Sequence, residues 1–391
     1  MAWLRKQYLR GAISPSQSGG AWAATEVALR SQYAAASSQP TPHSQPAMAS
    51  PPTVATTSGS TPPTSGLTQG VRYDAGAAAL TYLGGKPKTF STNYAGFPVA
   101  TIAATGGNLS DGEQGVSWRM PVRVTAASVA FRVLGSAVPY RFIVDGQYVS
   151  KTGTMTTTSS GSNFIELQFG VSATREIIVE GEEAQRFYGV YVAPADVVAL
   201  ATGLEPGIVL YLGDSFTESA GATREGDGYA VWCSELLGFD NNWLSGVGST
   251  GYLATMSGTR YKLSERIVAD IQRAKDRGNV TKVFVAMGLN DLSIGDVATE
   301  ANSCFSIIRS MLPDASVSVL SPWDVNAPSA PAAGFAARKA EIQSALVGRG
   351  GFRLLDFEGV SFTKFDAVHP NNSGHETLGT LLATKERTAL G

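Results

Sequence analysis

Two kinds of hydrophobic pattern divide this chain. From about residue 70 to 194, apolar positions fall in short runs rich in β-branched and aromatic side chains, broken by Gly, Asn and Asp. After residue 201 the apolar runs grow denser, and segments with a 3.6-residue period separate them. The first pattern predicts strands over 117–124, 128–133, 140–144, 164–170, 176–180 and 187–192. Asp145 and Gly146 supply a two-residue hairpin turn between 140–144 and 147–150. This succession reads as a β-sandwich of jelly-roll type. The second pattern predicts buried strands over 208–212, 243–247, 282–287, 316–320 and 352–357. They alternate with helices over 229–237, 263–277, 296–311, 333–347 and 374–388, the second of which carries Ile267, Ile271 and Ala274 on one face. Alternation of this kind implies an α/β fold, a parallel sheet covered by helices on both faces.

Two segments precede these regions. Residues 1–33 carry Trp3, Leu4, Tyr8, Leu9, Trp22, Val27 and Leu29 on a stretch too short to fold alone. Residues 34–66 are built almost wholly of Ala, Ser, Thr, Pro, Gly and Gln, without a charged side chain. So little apolar surface cannot offset the entropy of ordering, so an extended tether is expected. The organisation expected is therefore an N-terminal anchor segment over 1–33, a tether over 34–66, a β-sandwich over 67–200 and an α/β domain over 201–391. An aromatic-bearing peptide on a tether is expected to dock onto a larger assembly.

Composition narrows the partners. With 30 Lys and Arg against 32 Asp and Glu the net charge is -2, which offers no field to draw the chain to nucleic acid or to an anionic membrane. No apolar run of signal-peptide length follows Arg5, Lys6 and Arg10, so Sec-type export is not expected. The longest apolar neighbourhood, 197–212, is interrupted by Glu205 and Pro206 and falls short of the ~20 residues that span a bilayer. Cys233 and Cys304 match no disulfide or metal spacing and are expected as buried thiols.

In parallel α/β sheets ligands bind outside the carboxyl ends of the strands, and the chemistry-bearing residues fall there. The first strand runs into Gly213, Asp214 and Ser215, a tight exit that can hold the serine hydroxyl above the sheet edge. The second runs into 245–251, where Gly246, Gly248 and Gly251 free the backbone to approach a ligand, so that an N–H at Gly248 or Ser249 can face a developing oxyanion. The third ends at Gly288, Leu289, Asn290 and Asp291, and the Asn290 amide is a donor that stays neutral at every pH. Together with the Ser215 N–H these donors would make a three-point oxyanion hole. The fifth leads to Asp366 and His369, spaced so that one turn carries a base and the acid that orients it. Pro370 keeps His369 out of the helical region, and Asn371, Asn372 or Ser373 can cap the helix that follows. Of the three histidines, His43 lies in the expected tether and His375 in the final helix, which leaves His369 as the one beside an acid at a strand end.

These four blocks, 213–215, 246–251, 288–291 and 366–369, make the C-terminal half resemble an SGNH hydrolase of the GDSL esterase family. The resemblance implies Ser215 as nucleophile, His369 as general base and acid, Asp366 as orienting acid, and an oxyanion hole of Ser215, Asn290 and the glycine loop at Gly248 or Ser249. The family's second block usually carries a glycine about where Ser249 stands, which leaves the serving N–H open. With its β-sandwich the whole is similar to two-domain carbohydrate esterases that remove acetyl groups from polysaccharides. Residues 19–27 also resemble the Gly-Gly-x-Trp stretches at the start of some phage tail-appendage and virion proteins.

The expectation is a serine esterase acting on an acylated glycan through an acyl-enzyme, with no metal or organic cofactor. A virion structural or glycan-binding protein with an idle hydrolase domain is the rival of a different class, and a lipase or acyltransferase of the same family is a third. A lipase would display a long apolar lid, which is missing from the pattern. Trp323, after the fourth strand, reads either as an acyl-pocket wall or as a loop aromatic.

Overall fold

The computed structural model describes residues 21–391 except 69, 85–87, 92–93, 97–116, 183–184, 205–206, 257–259 and 293. The described chain forms two compact units, one within residues 39–205 and one that joins the residues before 39 to those from 206 onward.

The first unit is an antiparallel sheet of ten strands: β1 Thr53–Ser58, β2 Val71–Asp74, β3 Lys88–Ser91, β4 Tyr94–Gly96, β5 Ser117–Leu134, β6 Arg141–Val144, β7 Gln147–Tyr148, β8 Ser162–Glu182, β9 Arg186–Val192 and β10 Val197–Leu200. Its axis is the long pair β5 and β8, each of which replaces two strands expected from the sequence. A bulge between Ala126 and Ser128 divides β5. Its first half pairs with the end of β8 and with β10, and its second half with the start of β8 and with β9. Val122, Phe131, Ile165 and Val179, drawn from both halves, share one core, so the sheet folds over itself into two layers. Asp145 and Gly146 make the β6–β7 turn with φ of 48° and 86°, the left-handed pair that a type I′ turn requires.

The expected tether over 34–66 is not extended. Its end forms β1, which pairs with β8 from Thr53 opposite Gln168 to Ser58 opposite Asn163. Met48 packs on the core, and its N–H donates to the Tyr148 carbonyl at 2.9 Å. An edge strand is held mainly by main-chain bonds, so a run of Thr, Ala and Ser with few apolar side chains can still be ordered.

The second unit matches the predicted α/β pattern closely. Its strands β11 Ile208–Gly213, β12 Asn241–Gly246, β13 Val280–Ala286, β14 Ser316–Leu320 and β15 Phe352–Leu355 are all parallel, in the order β12-β11-β13-β14-β15. Its helices are α1 Ala21–Ser37, α2 Tyr229–Leu236, α3 Leu263–Lys275, α4 Val297–Met311, α5 Ala333–Leu346 and α6 Asn372–Leu390. The inner strand β11 is buried at every position, and its Leu210 and Leu212 meet Ile267 and Ile271 of α3 in the core. The acidic Glu265 in the first turn of α3 and basic Arg273 and Lys275 in its last suit the helix dipole.

Within the expected anchor segment over 1–33, residues 21–33 belong to helix α1 and pack inside the second unit. The buried positions of α1, Glu26, Leu29 and Tyr33, lie on one face, and Tyr33 meets Phe239 edge-on at 6.2 Å. Gln32 donates to the carbonyls of Leu237 and Gly238, and Arg30 to that of Leu390 at 2.6 Å. Trp22 lies against Gly350 and Gly351, so it is used inside the unit, whereas Val27 is 58% exposed. Trp3, Leu4, Tyr8 and Leu9 lie outside the described residues.

Beneath α1 the Lys282 ammonium, fully buried on β13, bonds Glu386 of α6 at 2.5 Å and Ser318 at 2.7 Å. Arg353 of β15 joins the same Glu386 to Glu26 of α1. Burial lowers the Lys282 pKa to about 8 against the opposing pull of Glu386. Cys233 and Cys304 are buried free thiols. Among the described residues no helix is long and apolar enough to cross a membrane, and no group of His, Cys, Asp and Glu is placed to hold a metal ion.

Candidate active site

The site forms where β11, β12 and β13 end. Gly213 closes β11 because a Cβ there would lie 1.9 Å from the Thr217 hydroxyl, so no larger residue permits the tight exit. The chain then turns on itself, with Asp214 accepting the Phe216 N–H at 3.0 Å and the Ser215 carbonyl accepting the Ala220 N–H at 2.9 Å.

Ser215 Oγ stands 3.0 Å from His369 Nε2, although 154 residues separate them in sequence. His369 Nδ1 is 2.8 Å from Asp366 Oδ2. The other oxygen of Asp366 accepts the N–H of Val368 and of His369, both at 2.7 Å. The bond from the imidazole and then those two N–H groups hold the Asp366 carboxyl well below the usual carboxylate range. An ionised Asp366 fixes the proton on Nδ1 and leaves the Nε2 lone pair facing the serine. The loop is closed by the Phe365 N–H donating to the His369 carbonyl at 2.8 Å, and Asn371, one of the three expected caps, accepts the Gly374 N–H at the start of α6.

Asn290 arrives on a short 3₁₀ turn, Leu289–Asp291, which Gly288 enters at φ 110°, a conformation that favours glycine. One amide hydrogen of Asn290 is donated to the Thr250 carbonyl at 2.9 Å, and the amide has a second to offer. Ser249 adopts φ 62°, which gives a physical reason for the glycine that the family usually places there. Gly248 differs from expectation: its N–H is already donated to Glu218 at 2.8 Å. Glu218 can reach it because the Thr217–Glu218 backbone lies directly on Gly246.

Three further residues hold this geometry: Arg266 and Arg260, which the sequence did not single out, and Asp291, which it named in the 288–291 block without a role. Asp291, fully buried, accepts the N–H groups of Tyr252, Leu253 and Ala254 at 2.8–3.0 Å and so pins the far end of the glycine loop beside Asn290. Arg266 of α3, also buried, donates to the carbonyls of Gly213 at 2.7 Å and Ser245 at 3.1 Å, tying the ends of β11 and β12 together. Arg260 donates to the Gly248 carbonyl at 2.8 Å. Trp323 is packed between Phe216 and Phe357, at ring separations of 5.8 and 5.1 Å.

Two buried groups beside the site titrate in opposite senses. His375 accepts the Tyr229 N–H on Nδ1 and donates from Nε2 to the Ala220 carbonyl, and burial lowers its pKa to about 4. Its contribution to stability is present above about pH 6.5 and is lost as pH falls toward 4. Burial raises Asp214 to about 7, against the Phe216 N–H, so its contribution is present below about pH 4 and is lost as pH rises through 7. The two slopes oppose each other. Relative to the parent, Asp214→Asn is expected to gain ~2 kcal/mol between about pH 4.5 and 6.5, and His375→Gln to lose a similar amount. Urea unfolding at both pH values checks this, and parallel stability curves would contradict it.

A serine hydroxyl bonded to an imidazole that a carboxylate orients, at the carboxyl ends of a parallel sheet, is the arrangement of serine hydrolases that transfer acyl groups. In agreement, residues 211–377 match the GDSL-like Lipase/Acylhydrolase family, and this stretch is a domain of that family with the SGNH-type α/β fold. A search of curated proteins finds no match. Among solved structures the chain is similar to a family two carbohydrate esterase from Clostridium thermocellum, at 14% identity and TM-score 0.59, covering 80% of this chain and 99% of that one. It is similar to a salicylyl-acyltransferase from a tetracycline biosynthetic pathway, at 15% identity and TM-score 0.63, covering 82% and 98%. An acetyl xylan esterase from the rumen bacterium Butyrivibrio proteoclasticus aligns at 12% identity and TM-score 0.57, covering 82% and 99%. At these identities the likeness is one of fold, and it extends over both units. The likeness of residues 19–27 to phage appendage proteins finds no support in these matches.

Proposed function

We propose that this protein is a serine esterase that removes small acyl groups, acetyl foremost, from a polysaccharide through an acyl-enzyme. The observation that carries the reading is the line from Ser215 Oγ through His369 to Asp366, at 3.0 and 2.8 Å. Ser215 attacks the acyl carbonyl as its proton passes to His369 Nε2, and Asp366 stabilises the imidazolium that results. The oxyanion is received by the Ser215 N–H, the second hydrogen of the Asn290 amide and an N–H of the glycine loop. His369 then protonates the leaving alcohol, and water repeats the cycle on the acyl-serine.

A small acyl group is supported by the small apolar cavity flanking Ser215, which Phe216, Leu289, Leu320, Trp323 and Phe357 line. The fold shared with esterases of carbohydrates, extending over both units, supports a glycan carrier. The likeness to an acyltransferase favours a second reading, transfer of the acyl group to an acceptor other than water.

Acetate release from a panel of O-acetylated bacterial and plant polysaccharides, with and without added acceptor sugar, tests both. Release of acetate, and faster turnover of p-nitrophenyl acetate than of the octanoate, is expected. Preference for the octanoate, with no acetate from any glycan, would sink the carbohydrate reading. Products carried to the acceptor in excess of free acetate would replace hydrolysis by transfer.

A further inference from the structure

Glu218 stands three residues after Ser215, and its carboxylate accepts the Gly248 N–H at 2.8 Å. Arg260 holds the same residue from its other side, donating to the Gly248 carbonyl at 2.8 Å. A Cβ on Gly248 would lie 2.5 Å from Glu218 Oε2, 2.6 Å from Arg260 Nη1 and 3.3 Å from Ser215 Cβ. The carboxylate, the guanidinium and the serine therefore crowd one glycine, whose N–H is a sequence-predicted donor to the oxyanion.

We propose that Glu218 is a further residue governing the reaction: it holds the Gly248 N–H in the resting protein and must release it before that N–H can serve an oxyanion on Ser215. The inference rests on the esterase reading above. An ester carbonyl, being uncharged, is a weaker acceptor than a carboxylate and does not displace it in the ground state. A tetrahedral oxyanion is a comparable acceptor, but two negative charges cannot share one donor. The carboxylate must therefore swing away as charge develops on the substrate. Arg260 gives it somewhere to go, because the two charged groups are no more than about 5 Å apart, within range of appreciable attraction. Glu218 thus withholds one oxyanion donor until the transition state, at a cost in rate.

The test compares the full-length wild type with Glu218→Gln, Glu218→Ala and Ser215→Ala, using p-nitrophenyl acetate. Glutamine keeps the shape but is a weaker, neutral acceptor, and alanine frees the N–H. On this account kcat/KM rises by about threefold in Glu218→Gln and about tenfold in Glu218→Ala. Phenylboronic acid, which forms a tetrahedral anion on a serine, should bind more tightly to Glu218→Ala by a similar factor. A fall or no change in kcat/KM in both variants, with melting temperatures as in the wild type, overturns the proposal and makes Glu218 a residue that orders the loop. In that case, abolition of wild-type turnover by Ser215→Ala leaves the esterase reading standing. Turnover that survives Ser215→Ala overturns both.

Discussion

Ser215→Ala is expected to lower kcat for acetyl esters by about 10⁴-fold or more, with KM within roughly threefold of the wild type. In the proposed mechanism the Ser215 hydroxyl oxygen is the atom that forms the covalent bond, and it contacts His369 Nε2 directly at 3.0 Å. Nothing else depends on that oxygen for folding, so the melting temperature should barely move. Steady-state turnover of p-nitrophenyl acetate, together with the pre-steady-state burst expected of the wild type, is the measurement. Asp366→Asn should cost less, by about tenfold or more, than loss of the serine. An asparagine oxygen in its place can still accept the two main-chain N–H groups of the loop, but its NH2 then faces His369 Nδ1 and favours the wrong tautomer; the Asp366 side chain is 45% exposed, so water can take over part of its role. Equal losses in the two variants would mean that the tautomer and charge set by the carboxylate are indispensable.

The largest effect on stability is expected from Glu386→Ala, a loss of about 3 to 5 kcal/mol. Glu386 is fully buried and accepts from Lys282, Ser318 and Arg353, so its removal leaves the buried Lys282 ammonium without its carboxylate partner. The sign of the pH dependence separates this cause from a mere cavity. Burial already depresses Lys282, and without Glu386 its pKa falls further below the unfolded value. A lysine depressed in the folded state binds fewer protons there than in the unfolded chain, so stability rises with pH. The deficit of Glu386→Ala should accordingly be smaller at about pH 10 than at about pH 7. Chemical denaturation at the two pH values decides it, and a deficit independent of pH would point to lost packing instead.

The α/β elements were legible because β11 is a continuous apolar run and the other strands keep short apolar stretches, such as Trp243 and Leu244 in β12 and 283–285 in β13, between helices of 3.6-residue period. Ile208–Gly213 is flanked on both sides, and its composition says so. Ser215 and Asn290 were singled out because each closely follows a strand end, and Asp366 and His369, which lie on a loop well past β15, because few other residues compete for the role. The long β strands were not. Between residues 170 and 174 β8 is exposed at every position, with Val171 at 66%, so the alternation that marks a half-buried strand lapses where its pairing with β5 shifts register. β1 was hidden for a related reason, since its pairing runs through the main chain. Glu218 and Arg266, and the role of Asp291, escaped notice because their partners are backbone N–H and carbonyl groups far off in sequence, and no residue type announces such a bond. The place where helix α1 packs was not legible, since the surface that buries Leu29 and Tyr33 is assembled from residues some two hundred or more positions later.

Because α1 and α6 belong to one unit, the β unit is an insertion between two parts of its neighbour. During synthesis α1 leaves the ribosome long before the strands it covers, and the β unit can close while α1 is still waiting for Phe239, Arg353 and the Leu390 carbonyl. Completion of the second unit thus waits on α6. Cutting the chain at the apparent boundary near residue 206 would yield a fragment stripped of its own lining, and a faithful excision would instead splice residue 38 to residue 207.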